Sequence, residues 1–398
     1  MSDKIYIGAP DKDLQLTFLD AYGNKKNQHS TFSFIDNHRI QIAHYKDIIN
    51  SDSQWFFVVN YQNPDPAITV ITPEIFPEGV LDSIKNYNCT LLLTNYAESY
   101  FEDADLIHTH KLLSNLIHNL GIPSHKIKWI TNCIGGQDIF DSFCERHTLD
   151  NPGCNHITFV EFLLPLVPHW ELLNVPKRRF MFLQKGERDH RMMLAMLMFK
   201  NQIDSHMSFH YDENTHGILL WLMQKKYPNT GLQESDVDAF CATLPRKVDN
   251  VSLTENTHEH LNAYANTEML LATERTGIYV IGETRFQEPG NFFSEKTMKA
   301  IFNKKPFIFL GQPNSCKELR NLGFKTFESH IDESYDSIQN PEQRLIAVSN
   351  EIHRLSKLSH REFYGMVAEM EDICEYNFNQ IRGFGQKAIE LDKLTGKL

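Results

Sequence analysis

Between Pro165 and Pro176 the chain carries three prolines without any regular periodicity, and directly after them a strand–helix alternation begins afresh. Proline removes a backbone donor and is excluded from helix interiors and central strands, so no continuous element crosses this stretch. Each side must therefore close its own sheet. Before the break, Phe32–Ile35, Trp55–Val59, Thr90–Leu93, Lys126–Thr131 and His156–Phe162 read as strands. Leu106–Leu120 reads as a helix, with Leu106, Leu113, Leu116, Ile117 and Leu120 on one stripe, and Gly121-Ile122-Pro123 ends it. After the break come the strand Arg179–Leu183, the helix Met192–Phe199, and the strands Ile278–Ile281 and Pro306–Leu310. The last of these is apolar throughout, as a central parallel strand would be. From Pro341 onward the pattern is helical.

These alternations predict an α/β chain of two Rossmann-like domains facing a cleft, over residues 1–170 and 171–345. Helices over 346–398 are expected to pack back toward the first domain. A length of 398 residues suits two cores rather than one.

Composition narrows the function classes. A net charge of −12 with a pI near 5.9 argues against a broad nucleic-acid footprint, although an acidic protein can still hold a local basic cleft. The seven cysteines are odd in number and form no CxxC pair, so neither a disulfide framework nor a zinc site is indicated. Apolar stretches such as Ile157–Val167 fall short of the roughly 20 residues of a membrane span. Met1-Ser2-Asp3-Lys4 leads straight into the strand-like Ile5-Tyr6-Ile7 with no apolar leader, so a cytoplasmic protein is the expectation.

Two segments carry most of the chemistry. In Ile278–Asp336 a buried strand ends at Gly282-Glu283, a polar loop follows, and Ser294 reads as the N-cap of a helix Glu295–Phe302. A helix N-terminus offers unpaired N–H groups and a positive dipole end, a seat for phosphate or ribose. A carboxylate there, Glu295, can accept from both ribose hydroxyls, and an ammonium, Lys296, can neutralise a diphosphate. The same residues also suit an ordinary solvated helix start. The second segment, RRFMFLQKGERDHRMML over 178–194, puts Lys185, Arg188, His190 and Arg191 between a strand and a helix. Arginine grips phosphate bidentately, so this loop is either an anion site or a basic surface turn.

The string SEKTMKAIFNKKPFIFLGQPNSCKELRNLGFKTF, followed by IDESYD, resembles the C-terminal donor domain of a phage and bacterial group of glycosyltransferases of the GT-B type. That group shares its Glu-Lys signature with the family-10 fucosyltransferases. The similarity runs over about Phe180–Leu355 and is dense over Ser294–Asp336. It implies that the strand–loop–Glu-Lys–helix element, with Glu283, Ser294, Glu295 and Lys296, binds a nucleotide's ribose and phosphates. It further implies that an arginine after the first strand of the second domain, Arg188 or Arg191, contacts the diphosphate.

An acceptor hydroxyl needs a general base, expected at the carboxyl edge of the first domain's sheet. Glu98, five residues past the buried run ending at Leu93, is the candidate, against the alternative of a solvated loop residue. Gly135-Gly136 permits close approach of a ligand or makes a turn, and the turn is the preferred reading. Asp103-Ala-Asp105 and Asp236-Val-Asp238 match the DxD pattern of metal-dependent transferases but follow no strand. His206 and His210 lack further ligands, and no metal site is expected. Phe240, Tyr264, Tyr279 and Phe286 read as core.

Together these observations imply a metal-independent glycosyltransferase using a nucleotide sugar as co-substrate, with no further cofactor and a glycan or small molecule as acceptor. One alternative keeps the donor half but acts on hydroxymethylated pyrimidine in phage DNA. It requires base flipping and a steep salt dependence, and the acidic charge counts against it. Another is a nucleotide-sugar-binding protein without catalysis.

Overall fold

The structure is a computed structural model that describes residues 5–9, 16–19, 25–28, 40–49, 54–61, 71–95, 102–131, 133–158, 178–184, 188–209, 212–246, 272–273 and 275–384. The chain divides into two compact units. The first comprises Met1–Glu161, Glu288–Phe292 and Phe384–Leu398, and the second Phe162–Gln287 and Phe293–Gly383. The expected domain boundary at 170/171 and the strand Phe32–Ile35 lie outside the described residues.

The first unit holds an eight-stranded sheet of β1 (Ile5–Ala9), β2 (Leu16–Leu19), β3 (Lys25–Gln28), β4 (Ile40–His44), β5 (Trp55–Tyr61), β6 (Cys89–Asn95), β7 (Ile127–Thr131) and β8 (Asn155–Thr158). β5 through β8 pair in parallel in chain order. On its other edge β5 takes two partners in succession: β1 beside Trp55–Phe57, and β2 beside Val59–Tyr61. β4 pairs with β1, and β3 turns back antiparallel on β2. The near-continuous apolar runs WFFVV and LLL are those of strands covered on both faces. Phe57, Leu91 and Leu93 meet Leu106, Leu113, Trp129 and Phe140 in one core. The helix expected over Leu106–Leu120 is α-helical over Asp103–Ser114 and widens to a π-turn over Asn115–Asn119. There the buried Asn115 side chain accepts from Ile71 N at 3.0 Å.

Gly135 and Gly136 make the turn that starts the helix Gly136–Arg146. Gly135 has φ +79°, a conformation that favours glycine, and a Cβ on Gly136 would sit 2.4 Å from the His156 ring. The close approach is thus to a side chain of the same unit. His156 meets Thr131 Oγ1 at 2.8 Å and the Trp129 ring at 4.8 Å, and its burial pushes its pKa down to about 4. A folded pKa below the unfolded value means that the fold disfavours the proton. His156 therefore contributes stability above pH ~6.5 that is lost as the pH falls toward about 4. Between about pH 7 and pH 4.5, urea unfolding of His156→Gln is expected to lose about 2–3 kcal/mol less than the parent. Parallel pH profiles for the two proteins would contradict this.

The second unit holds β9 (Arg178–Phe182), β10 (Ser205–Met207), β11 (Thr276–Gly282) and β12 (Phe307–Leu310), all parallel, in the order β10-β9-β11-β12. The helix Asp189–Lys200 follows β9, and Glu295–Phe302 follows β11 as its sequence signals require. β12 is fully buried, but it ends the described strand order instead of lying centrally. Its burial comes from helices, among them Pro341–Ser356, whose Leu345, Val348, Ile352 and Leu355 are all inside. The helices His360–Glu369 and Glu371–Phe384 complete the described part of the helical C-terminal region. Phe363 packs on Phe180 at 5.4 Å and against the α-carbon of Gly277, where a Cβ would come within 2.7 Å of its ring. The described tail thus packs on the second unit's own sheet, and residues 385–398 lie outside the described residues. Among the described residues no helix is long and apolar enough to cross a membrane.

Candidate functional site

In an open parallel sheet, a crevice forms at the carboxyl ends of two neighbouring strands whose crossovers leave in opposite directions. Here β9 crosses over to β10 on one side and β11 to β12 on the other, so that point lies between the ends of β9 and β11. Gly282 closes β11, and a Cβ there would stand 3.0 Å from both Arg191 Cγ and Phe182 Cε2. Glycine at this position lets the stem of Arg191 cross the strand end.

The next residue, Glu283, is 1% exposed and organises everything around it. Its carbonyl accepts from Arg191 Nε at 3.1 Å and meets His190 Nε2 at 2.8 Å. One carboxylate oxygen accepts from Ser294 N at 3.0 Å and from Thr297 Oγ1, and the other accepts from Thr284 N at 3.3 Å. Arg191 Nη2 also donates to Thr284 Oγ1 at 3.2 Å. A single residue thereby ties together the N-termini of the helices Asp189–Lys200 and Glu295–Phe302.

Behind it, the His190 ring stacks on Phe286 with centroids 4.6 Å apart, and the Arg344 guanidinium lies 4.4 Å from the same phenyl ring. Arg344 is buried and donates to the carbonyls of Gly311, Gln339, Ile338 and Phe286. Burial lowers its pKa to about 10. Burial first, and then the charge of Arg191, hold the His190 pKa well below the ordinary histidine value. The ring is therefore neutral at pH 7, and the carbonyl of Glu283 requires its proton on Nε2.

The structure brings Arg191, Glu283, Ser294 and Lys296 into one cluster. Arg188 is the N-cap residue of the helix Asp189–Lys200, half-buried, with an extended backbone and no side-chain cap bond. Ser294 caps the other helix, and its Oγ accepts from Lys296 N at 3.3 Å and Lys296 Nζ at 3.4 Å. That bond folds the lysine back over the helix start. Glu295 opens the helix, but its side chain, Lys185 and Glu98 lie outside the described residues.

Glu283 was expected to touch a ligand, and here both its carboxylate oxygens bond to neighbouring protein donors. Arg191, 4% exposed, braces the same carbonyl. Thr284, Thr297 and Arg344 were not foreseen, and Phe286 was read only as core. The sequence signal for Thr297 is its place three residues after the N-cap Ser294, where a first-turn side chain reaches back.

IDESYD is likewise structural. Asp336 accepts from Cys316 N and Lys317 N, Glu333 from Phe327 N and Arg320 Nη1, and Tyr335 Oη from Phe309 N. The DxD residues lie on helices: Asp103 pairs with Arg146 and His147, Asp236 with Lys200, and Asp238 with His216. Phe240, Tyr279 and Phe286 are core, while Tyr264 and His210 lie outside the described residues.

No protein-family model matches the chain, and no curated protein matches it. Among solved structures, it is similar to the DNA-modifying enzyme β-glucosyltransferase, crystallised with and without its substrate uridine diphosphoglucose. That likeness has 13% identity and a TM-score of 0.40, over 97% of this chain and 99% of that one. It is also similar to CalG4, the calicheamicin glycosyltransferase, at 11% identity and a TM-score of 0.31, over 89% of this chain and 76% of that one.

Proposed function

We propose that this chain is a GT-B-type glycosyltransferase that passes a sugar from a nucleotide-sugar donor to an acceptor hydroxyl on a glycan or small molecule, without a divalent metal. The observation that carries this reading is the pair of helix N-termini tied to Glu283 at the switch point, with Arg188 and Lys296 at their starts. Two helix dipoles and two cations favour a dianionic ligand such as a diphosphate.

In this scheme Arg188, the more accessible of the two arginines, grips the diphosphate with Lys296 and Lys185, while Arg191 holds the frame. Glu295 takes the ribose hydroxyls. The acceptor oxygen forms a bond to the anomeric carbon as the bond from that carbon to the diphosphate breaks. The nucleoside diphosphate leaves with the electron pair, and if configuration inverts, Glu98 receives the acceptor's proton. The cations neutralise the charge that develops on the leaving group.

A thermal-shift panel of UDP, GDP, ADP, CMP and dTDP tests the reading. At least one nucleoside diphosphate should stabilise the protein, by about 2.7 kcal/mol at a hundredfold excess over Kd. Glu295→Ala should weaken that binding by about 1–3 kcal/mol and leave the ligand-free melting temperature in place. A parent protein that responds to none of the five overturns the proposal.

A further inference from the structure

The mechanism above does not use the buried polar side chain of Gln184. Gln184 stands two residues past the end of β9, on the same carboxyl edge as Glu283 and four residues before Arg188. It is 7% exposed, and among the described residues neither its amide nitrogen nor its amide oxygen has a hydrogen-bond partner. Its backbone is fixed all the same: Gln184 N donates to Ser208 Oγ at 3.0 Å, and Ser208 Oγ donates to Gln184 O at 3.1 Å. Ser208 is anchored in turn by its own N–H on Phe182 O.

A buried carboxamide with both ends unmet is costly, because nearly every buried polar side chain in a folded protein finds a partner. A glutamine retained at such a cost, on a clamped backbone at the ligand edge of the sheet, is matched to a group supplied from outside the chain. Its donor–acceptor pair complements a group that also offers one acceptor and one donor.

We propose that Gln184 is a specificity residue of the donor site, whose carboxamide hydrogen-bonds such a donor–acceptor pair on the nucleotide sugar. Two parts of that ligand have this chemistry, the edge of the base and the hydroxyls of the sugar. The diphosphate has only acceptors and is left to the cations. The proposal rests on the donor-site reading above.

The test compares Gln184→Met, which keeps the length and removes both polar ends, with the parent. The probes are inorganic diphosphate, the best nucleoside diphosphate from the panel, and the matching nucleotide sugar. Without ligand, Gln184→Met should melt about 2–4 °C higher, since it removes an unmet polar group. Its affinity for inorganic diphosphate should equal that of the parent. Binding about tenfold weaker to both the nucleoside diphosphate and the nucleotide sugar assigns the partner to the base. A loss seen with the nucleotide sugar alone assigns it to the sugar. Unchanged affinity for all three probes, or a lower ligand-free melting temperature, overturns the role of Gln184 while leaving the donor site standing. A parent that binds none of the probes overturns the donor site itself.

Discussion

Glu283→Ala should destabilise the full-length protein by about 3 kcal/mol, the largest single-residue loss of stability expected at this site. The reason lies in what the carboxylate satisfies. Ser294 N–H, Thr297 O–H and Thr284 N–H all point at it from a region with little access to water. Alanine leaves these donors without an acceptor. Glu283→Gln should fall in between, because an amide keeps one acceptor oxygen for Ser294 and Thr297 but turns an N–H₂ toward Thr284. Both variants should also lose nucleotide binding, since the helix start that would seat the phosphate is no longer held. Urea unfolding and a nucleotide titration on the same samples separate this from a contact role. If Glu283→Ala kept its stability and lost only affinity, Glu283 would be a ligand contact and not a brace.

That distinction between neighbouring acidic residues marks the limit of what the sequence reveals. The strand β11 and the helix Glu295–Phe302 are legible because their signals are local: a run of apolar residues ending in glycine, then an N-cap serine before good helix formers. The break before Arg179 likewise announces a second sheet. The roles of Arg188, His190 and Arg191 are not legible, because the loop GERDHR gives no sign of which cation turns inward. Gly282 and Thr284, some ninety residues later, decide it by admitting the stem of Arg191 and receiving its guanidinium. His190 reads as one more positive group and proves to be a neutral ring stacked on Phe286. Phe307–Leu310 misleads for a related reason. A strand that ends the described strand order beneath covering helices is as apolar as a central one, and the covering face of Pro341–Ser356 is distant in sequence.

The division of labour among the cations leads to the other large effect, on turnover. If Arg188 and Lys296 take the charge of the departing diphosphate, no Mg²⁺ or Mn²⁺ is needed to do so, and transfer should continue in excess EDTA. Arg188→Ala and Lys296→Ala should each then lower kcat by about a hundredfold to a thousandfold, the usual loss when one preorganised donor to a developing anion is removed. Neither change should alter acceptor KM much, because the interaction lost is strongest in the transition state. Arg188→Lys should recover only part of the rate, since an ammonium keeps the charge but not the bidentate grip. Arg191→Ala should behave differently. It takes away a brace, so stability and activity should fall together. Rates for these variants, measured with and without chelator once the donor is identified, decide the point. Activity that EDTA abolishes and Mn²⁺ restores would move the chain into the metal-dependent class and leave Arg188 and Lys296 as ordinary helix-start residues.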